Sequence, residues 1–328
     1  MKTKILAIVL TIAVLFGVMQ TAAFAADSEN SIDVYFSATS DEIIVPLESL
    51  TVSDGTAEDY GYTVAEVDHN DVAVDGITVL DVLVAAHAEY YGDSFTAETA
   101  SQYLAVSGGF VQKAFGKSAY ASGFTINNAV PHDDVKTEYG YTGYAADTAV
   151  VEKSGSFVSF FFYQDTKYYT DNLGSFGFTE ATLTPSETIE LHLTGYYAAY
   201  YGCSDEETIE ENTGALAEID VFMKEANEEA FTEIGATDED GNISITFENE
   251  GDYVLYATGE TDTGCPVIYT WAIVHVEEEV IDEPVEPVAP EMPFIIRKLN
   301  DIFGGAFKLV FEILVSVYNY VVRVINIF

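Results

Sequence analysis

Gly76 to Gly92, GITVLDVLVAAHAEYYG, reads as a helix with both of its ends marked. Thr78 with Asp81 three residues on is a capping box, in which each side chain satisfies an amide left open by the first helical turn. Leu80, Leu83, Val84 and His87 then fall on one apolar face, and Gly92 stops the helix. Working outward, Ile32 to Thr39 (IDVYFSAT) and Glu42 to Val52 alternate as strands on the N-terminal side. On the C-terminal side a short helix is expected over Ala97 to Tyr103. Strand signals follow at Phe110-Val111, Gly123 to Asn128 (GFTINN) and Thr148 to Val151. Phe157 to Tyr163, FVSFFFY, is an unbroken apolar run, the pattern of a strand covered on both faces. One good helix set among strands defines an α+β domain.

That order, with the TVLDVL helix of Thr78 to Leu83, the FTINN turn of Phe124 to Asn128 and the strand after the glycine at Gly155 to Tyr163, resembles a bacterial surface domain of unknown function. The family is similar to the C-terminal domain of transcobalamin, and the resemblance covers about Ile32 to Gly177. It implies a β-grasp-like fold. Ser156 departs from the acidic residue expected after the glycine. Transcobalamin uses a helical barrel as well to hold cobalamin, and no such barrel fits in this chain, so no cofactor is expected.

Thr184 to Val276 reads as a second, all-β domain, with strands at Thr188 to Leu193, Ala217 to Met223, Gly251 to Ala257 and Val267 to Val276. Closely spaced turn signals argue for a sandwich. The run TDEDGN to GDYVLYA, from Thr237 to Ala257, resembles the Ig-like or prealbumin-like modules that serve as stalks in surface proteins.

The two ends speak to location. Lys2 and Lys4, the apolar run Ile5 to Val18, and Ala23-Phe24-Ala25 have the form of a signal peptide over residues 1–25. Residues 277–293, with Pro284, Pro287, Pro290, Pro293 and seven acidic residues, read as an extended, self-repelling linker. From Lys308 onward polar residues fall at Glu312, Ser316, Asn319, Arg323 and Asn326, which on a helix makes a narrow polar seam. Leu309, Phe311, Leu314, Val317, Tyr318, Val321, Ile325 and Phe328 lie on the apolar remainder. Three readings stay open for this amphipathic or transmembrane helix of residues 294–328: lying in a membrane interface, spanning a membrane, or docking on a partner helix or domain.

Composition then excludes whole classes of function. Of 328 residues, 55 are acidic and 12 basic, for a net charge of −43. Between Ala26 and Pro293 the counts are 53 acidic and 6 basic. Nucleic acid is excluded as a partner, since phosphate contacts need clustered Lys and Arg. Twenty-two Tyr and 21 Phe exclude a disordered acidic tail.

Catalytic motifs are missing too. His69, His87, His132, His192 and His275 show no metal-ligand spacing, and no G-x-S-x-G, H-E-x-x-H or P-loop string occurs. The acidic turn at Asp238 has Ile243 and Asn249 where an EF-hand loop needs Gly and Glu. Cys203 and Cys265 could bridge in an exported chain or stay as free thiols. Tyr196, Tyr197, Tyr200 and Tyr201 could present flat faces to a glycan or another surface protein, although one member of each strand pair should be core. The expectation is an exported, cell-surface protein of the bacterial envelope, membrane-associated through residues 294–328. Its role is structural or adhesive, without catalysis. The alternative is a glycan or small-ligand binding module that uses exposed aromatics, and an envelope-associated enzyme ranks last.

Overall fold

The Thr78–Asp81 capping box forms in the computed structural model, which describes residues 31–278. Thr78 N–H donates to Asp81 Oδ2 at 2.8 Å, and Asp81 N–H returns to Thr78 Oγ1 at 3.3 Å. The second carboxylate oxygen accepts the Ala57 N–H at 2.8 Å, so one buried Asp joins two helices. Those helices are α1 (Thr56–Asp59) and α2 (Val79–Tyr91). They follow strands β1 (Ser31–Thr39) and β2 (Ile43–Ser53). After them come β3 (Ala105–Ser107), β4 (Phe110–Ala114), β5 (Lys117–Ser118), β6 (Ser122–Ile126) and β7 (Ser156–Phe162).

The main sheet of this layer has the order β2-β1-β7-β6, with β1 and β7 parallel at its centre. β3, β4 and β5 form a separate small sheet. The helix expected over Ala97 to Tyr103 is only a 3-10 turn at Ala100–Gln102. Thr148 to Val151 makes an isolated bridge, Val150 to Thr78, in place of a strand.

The double covering read from FVSFFFY is present, and its period of two sorts the faces. Val158, Phe160 and Phe162 of β7 join Val34, Phe36 and Ala38 of β1 against Leu80, Leu83 and Val84 of α2. Phe157 points the other way with Tyr35, into a cluster with Tyr256, Trp271 and Ile273 of the second sheet. Ser37 and Ser159 share that second face and hydrogen-bond at 3.1 Å. Burying one such Phe contributes about 2–3 kcal/mol. The first sheet is therefore a middle layer, with α2 on one side and a second sheet on the other.

The second half comprises β8 (Asn172–Ser175), β9 (Glu180–Leu183), β10 (Glu187–His192), β11 (Thr194–Tyr197), α3 (Ala198–Tyr201), α4 (Glu206–Asn212) and β12 (Gly214–Ala215). It continues with β13 (Asp220–Glu225), β14 (Thr232–Ala236), β15 (Asn242–Phe247), β16 (Gly251–Glu260) and β17 (Pro266–Val276). β12, β11, β8, β17, β16, β13 and β14 form one sheet in that order, with β9 also paired to β17, and the β10–β15 ribbon packs over it. Leu191, Ile245 and Phe247 of the ribbon meet Val221, Leu255, Ala272 and Val274 of the larger sheet. This is an Ig-like sandwich. A tyrosine corner accompanies it: Tyr253, near the start of β16, donates its hydroxyl to the Asn249 carbonyl at 3.1 Å.

One expectation needs correction. A second domain that starts at Thr184 would leave part of its own sheet behind, because β8 and β9 both pair in parallel with β17. The second sheet begins with β8 at Asn172. NLGS and EATL carry no local strand signal, and partners far along the chain hold them extended. The proposed signal peptide, residues 279–293 of the linker and the proposed helix of residues 294–328, including Leu309, Phe311, Leu314, Val317, Tyr318, Val321, Ile325 and Phe328, lie outside the described residues.

Candidate functional site

The segment from β10 to β13 is longer than a sandwich turn requires, and its extra residues build one wall of a groove. β11 adds to β8 beside β17, and α3 turns the chain back toward the first layer. Opposite stands the loop Val130 to Tyr144. Asp133 clamps the base of that loop, taking the Thr142 N–H at 3.0 Å, while its own N–H donates to the Thr142 carbonyl at 2.9 Å. Asn70 and His69 hydrogen-bond the same carboxylate and hold its pKa down to about 2. The Tyr141 N–H donates to the Cys203 carbonyl at 2.7 Å, and Lys136 pairs with Asp205. Loop and insertion are thereby fixed to each other.

Gly140 is required at this junction. Its φ is +95°, and a Cβ there would sit 2.7 Å from the Cys203 carbonyl oxygen. Gly140→Ala is expected to cost about 1–3 kcal/mol and to unseat the loop, read as a lower urea midpoint with an unchanged slope.

Between these walls and β6 lies a groove of about 640 Å³. Phe110, Tyr120, Tyr139 and Tyr200 stand on its margin with 71%, 78%, 89% and 61% of their surface exposed. Gln112, Ser122 and Ser204 supply polar groups, and Phe124, Phe161 and Tyr163 add aromatic lining. Tyr200 donates its hydroxyl to the Tyr168 carbonyl at 2.9 Å, which fixes its ring. Burial raises Tyr163 to about 12, so its phenol is neutral at any physiological pH. Among the described residues, no Asp, Glu, Lys, Arg or His lines the groove, in a chain with 55 acidic residues. Apolar walls with a few polar groups are the usual make-up of a ligand site.

Of the tyrosines singled out in sequence, only Tyr200 lines this groove. Tyr196 is half-buried against Phe161, Leu173 and Ala198, and burial raises its pKa to about 12. Tyr197 points to the other face of β11, with its hydroxyl 3.7 Å from Cys265 Sγ. Tyr196 and Tyr197 border a separate concavity of about 650 Å³ whose rim carries Glu218, Glu239 and Asp262. Tyr201 is half-buried. The four rings do not form one platform, because strand neighbours diverge and the short helix turns the others.

The same divergence separates the thiols, and both Cys203 and Cys265 are free. Cys203 lies in the groove on the Tyr196 side, where burial pushes its pKa up. Cys265 lies on the Tyr197 side, and a hydrogen bond from Thr263 holds its pKa down. The optional bridge is therefore not made.

Sequence reasoning missed Phe110, Tyr120 and Tyr139. Each stands alone in the sequence on a different loop or strand end, and only an aromatic flanked by Gly or Ala marks it. Among the described residues, no cluster of three His, Cys, Asp or Glu side chains could hold a metal ion, and no helix is long and apolar enough to cross a membrane.

No family model matches the chain, and no curated protein matches it. Among solved structures, it is similar to fibronectin(III)-like modules of CbhA from Clostridium thermocellum. That match has 13% identity and a TM-score of 0.18, and it covers 30% of this chain and 88% of the other. It is also similar to the D00-D0 domain of Intimin, with 13% identity and a TM-score of 0.16, covering 48% of this chain and 87% of the other. The Ig-like assignment rests on the strand pairing described above.

Proposed function

We propose that this chain is an exported, non-catalytic adhesive module of the bacterial surface that holds an uncharged partner in the aromatic groove. The carrying observation is the contrast between a chain of net charge −43 and a groove that, among the described residues, has no charged side chain. Exposed apolar surface of this kind is costly to leave bare and marks interaction sites. An anionic partner would meet the surrounding field, and a cationic one would find no carboxylate in the groove to pair with. A neutral partner offering flat apolar faces and a few hydroxyl or amide groups fits the lining.

Other parts of the reading have separate support. The β2-β1-β7-β6 order, with a parallel central pair and α2 crossing between β2 and β6, supports a β-grasp-like first domain. The signal-peptide pattern of residues 1–25 supports export, and the apolar stretch of residues 294–328 supports retention at the envelope.

The test is adhesion of beads carrying the full chain to isolated bacterial envelopes. Each stacked ring contributes on the order of 1 kcal/mol. Tyr120→Ala with Tyr200→Ala should therefore weaken adhesion about tenfold or more, with Trp271 emission unchanged as the check on folding. Adhesion equal to wild type would remove the groove from the function.

A further inference from the structure

The groove runs along an open sheet edge, and this edge carries the inference. β6 pairs with β7 on one side only, since the sheet order ends with it. The Tyr163 N–H donates to the Ala121 carbonyl, which makes Ala121 and Tyr163 a hydrogen-bonded pair of the antiparallel ladder. Alternation then gives the β7-facing bonds to Gly123 and Thr125 and turns the backbone N–H and C=O of Ser122 and Phe124 outward. Among the described residues those outward groups have no partner, and both residues line the groove.

Folded proteins normally protect such an edge with charge, proline or a cover. The other edge of this sheet is protected in that way: β2 carries Pro46 and Glu48. β6 has the sequence SGFTI, and no charge or proline occurs between Ala119 and Ala129. Gly123 is held by the packing beneath it, because a Cβ there would lie 2.6 Å from the Phe161 ring. The edge is therefore flat and bare at the point where the aromatic rings flank it.

We infer that the partner in the groove is an extended, uncharged polypeptide segment of another protein that adds to β6 as a fifth strand. Its main chain would pair with the outward groups of Ser122 and Phe124. Its alternate side chains would rest on Phe110, Tyr120, Tyr139 and Tyr200. In strand addition the main-chain bonds supply affinity and the flanking pockets supply selectivity. A segment with acidic residues is disfavoured by the charge of the body, which also weighs against a second copy of this chain. The inference rests on the groove being the binding site and deepens that reading.

Ser122→Pro separates the two claims. It removes an N–H that faces the groove and leaves the β7 ladder intact, a substitution edge strands tolerate. Random dodecapeptides displayed on phage are selected on the full-length chain, and the same protein is screened against an array of neutral glycans. The expected result is enrichment of uncharged peptides that bind Ser122→Pro at least tenfold more weakly. On the unaltered protein, those peptides should slow hydrogen exchange at the Ser122 and Phe124 amides.

Ligands of either kind that depend on Tyr120 and Tyr200, yet leave those two amides unprotected, would overturn strand addition while keeping the groove. A selection that yields no groove-dependent peptide also overturns it. Binding indifferent to Tyr120 and Tyr200 would remove both readings.

Discussion

Acidification from pH 7 to pH 4 should cost the folded chain about 3 kcal/mol through His87 alone. His87 is fully buried in α2, where desolvation lowers its pKa from 6.5 to about 4 against the opposing hydrogen bond to Leu83. Nδ1–H donates to the Leu83 carbonyl at 2.7 Å, and Nε2 accepts the Phe115 N–H at 3.0 Å. The Phe115 ring stacks on the imidazole with centroids 3.9 Å apart. Both nitrogens are satisfied in the neutral form, and a second proton would displace the Phe115 bond.

The sign follows from the depressed value. Above pH 6.5 both folded and unfolded chains hold a neutral His87, and its full stabilising contribution is present. Between 6.5 and about 4 the unfolded chain takes a proton that the folded chain refuses, so stability falls as pH falls. Protonation of the many carboxylates relieves repulsion over the same range and partly hides the effect.

The measurement is therefore a comparison of urea midpoints at pH 7, 5 and 4 for wild type and His87→Phe. The variant should lose about 1–3 kcal/mol at pH 7, because Phe115 N–H loses its acceptor. It should also show a shallower fall toward pH 4. Parallel pH profiles would mean that His87 does not titrate as described.

Trp271 to Ala is expected to lose about 3–5 kcal/mol, and Trp271 to Phe about 1 kcal/mol or less. Trp271 is 1% exposed and packs with Tyr256 and Phe231 at centroid distances of 5.2 and 5.9 Å. It sits where the middle sheet meets the sandwich, beside Phe157 and Leu47. Removing it opens a cavity between two layers, and the flanking sheets cannot collapse into that space. Among the described residues, its Nε1 is the buried side-chain polar atom left without a hydrogen-bond partner. Phe keeps most of the ring area and removes that desolvated donor, so the two losses of packing and polarity oppose each other. Urea unfolding followed by far-UV circular dichroism distinguishes these outcomes. Equal losses for the two variants would show that the packing at this seam is not what Trp271 contributes.

Local rules made much of the fold legible in advance. The Thr78–Asp81 cap, the helix beyond it and the two-faced strand of Phe157 to Tyr163 depend on neighbours within a few residues, and all three are present. The strands of the sandwich from Thr188 to Val276 were marked by alternation and turns for the same reason. β8 and β9 were not legible, because their extended form depends on β17, nearly a hundred residues away.

The groove was legible only in part. Tyr200 could be picked from its tyrosine-rich run, but Tyr196 and Tyr197 face elsewhere once β11 pairs with β8. Phe110, Tyr120 and Tyr139 reach the groove through the fold of three separate segments, and no spacing in the chain announces that they share it. Charge gave the missing hint in negative form. The stretch Ala119 to Ala129 is uncharged in a strongly acidic chain, which is unusual for residues that stay at the surface.

Hydrogen–deuterium exchange of the full chain, with and without saturating bacterial envelopes, tests the binding site most directly. Protection should appear in residues 109–112, 119–124, 139–146 and 198–204, which surround the groove, and not in the β10–β15 ribbon. Protection confined to the ribbon or to the acidic concavity beside Tyr197, with residues 119–124 unchanged, would contradict the groove as the adhesive site.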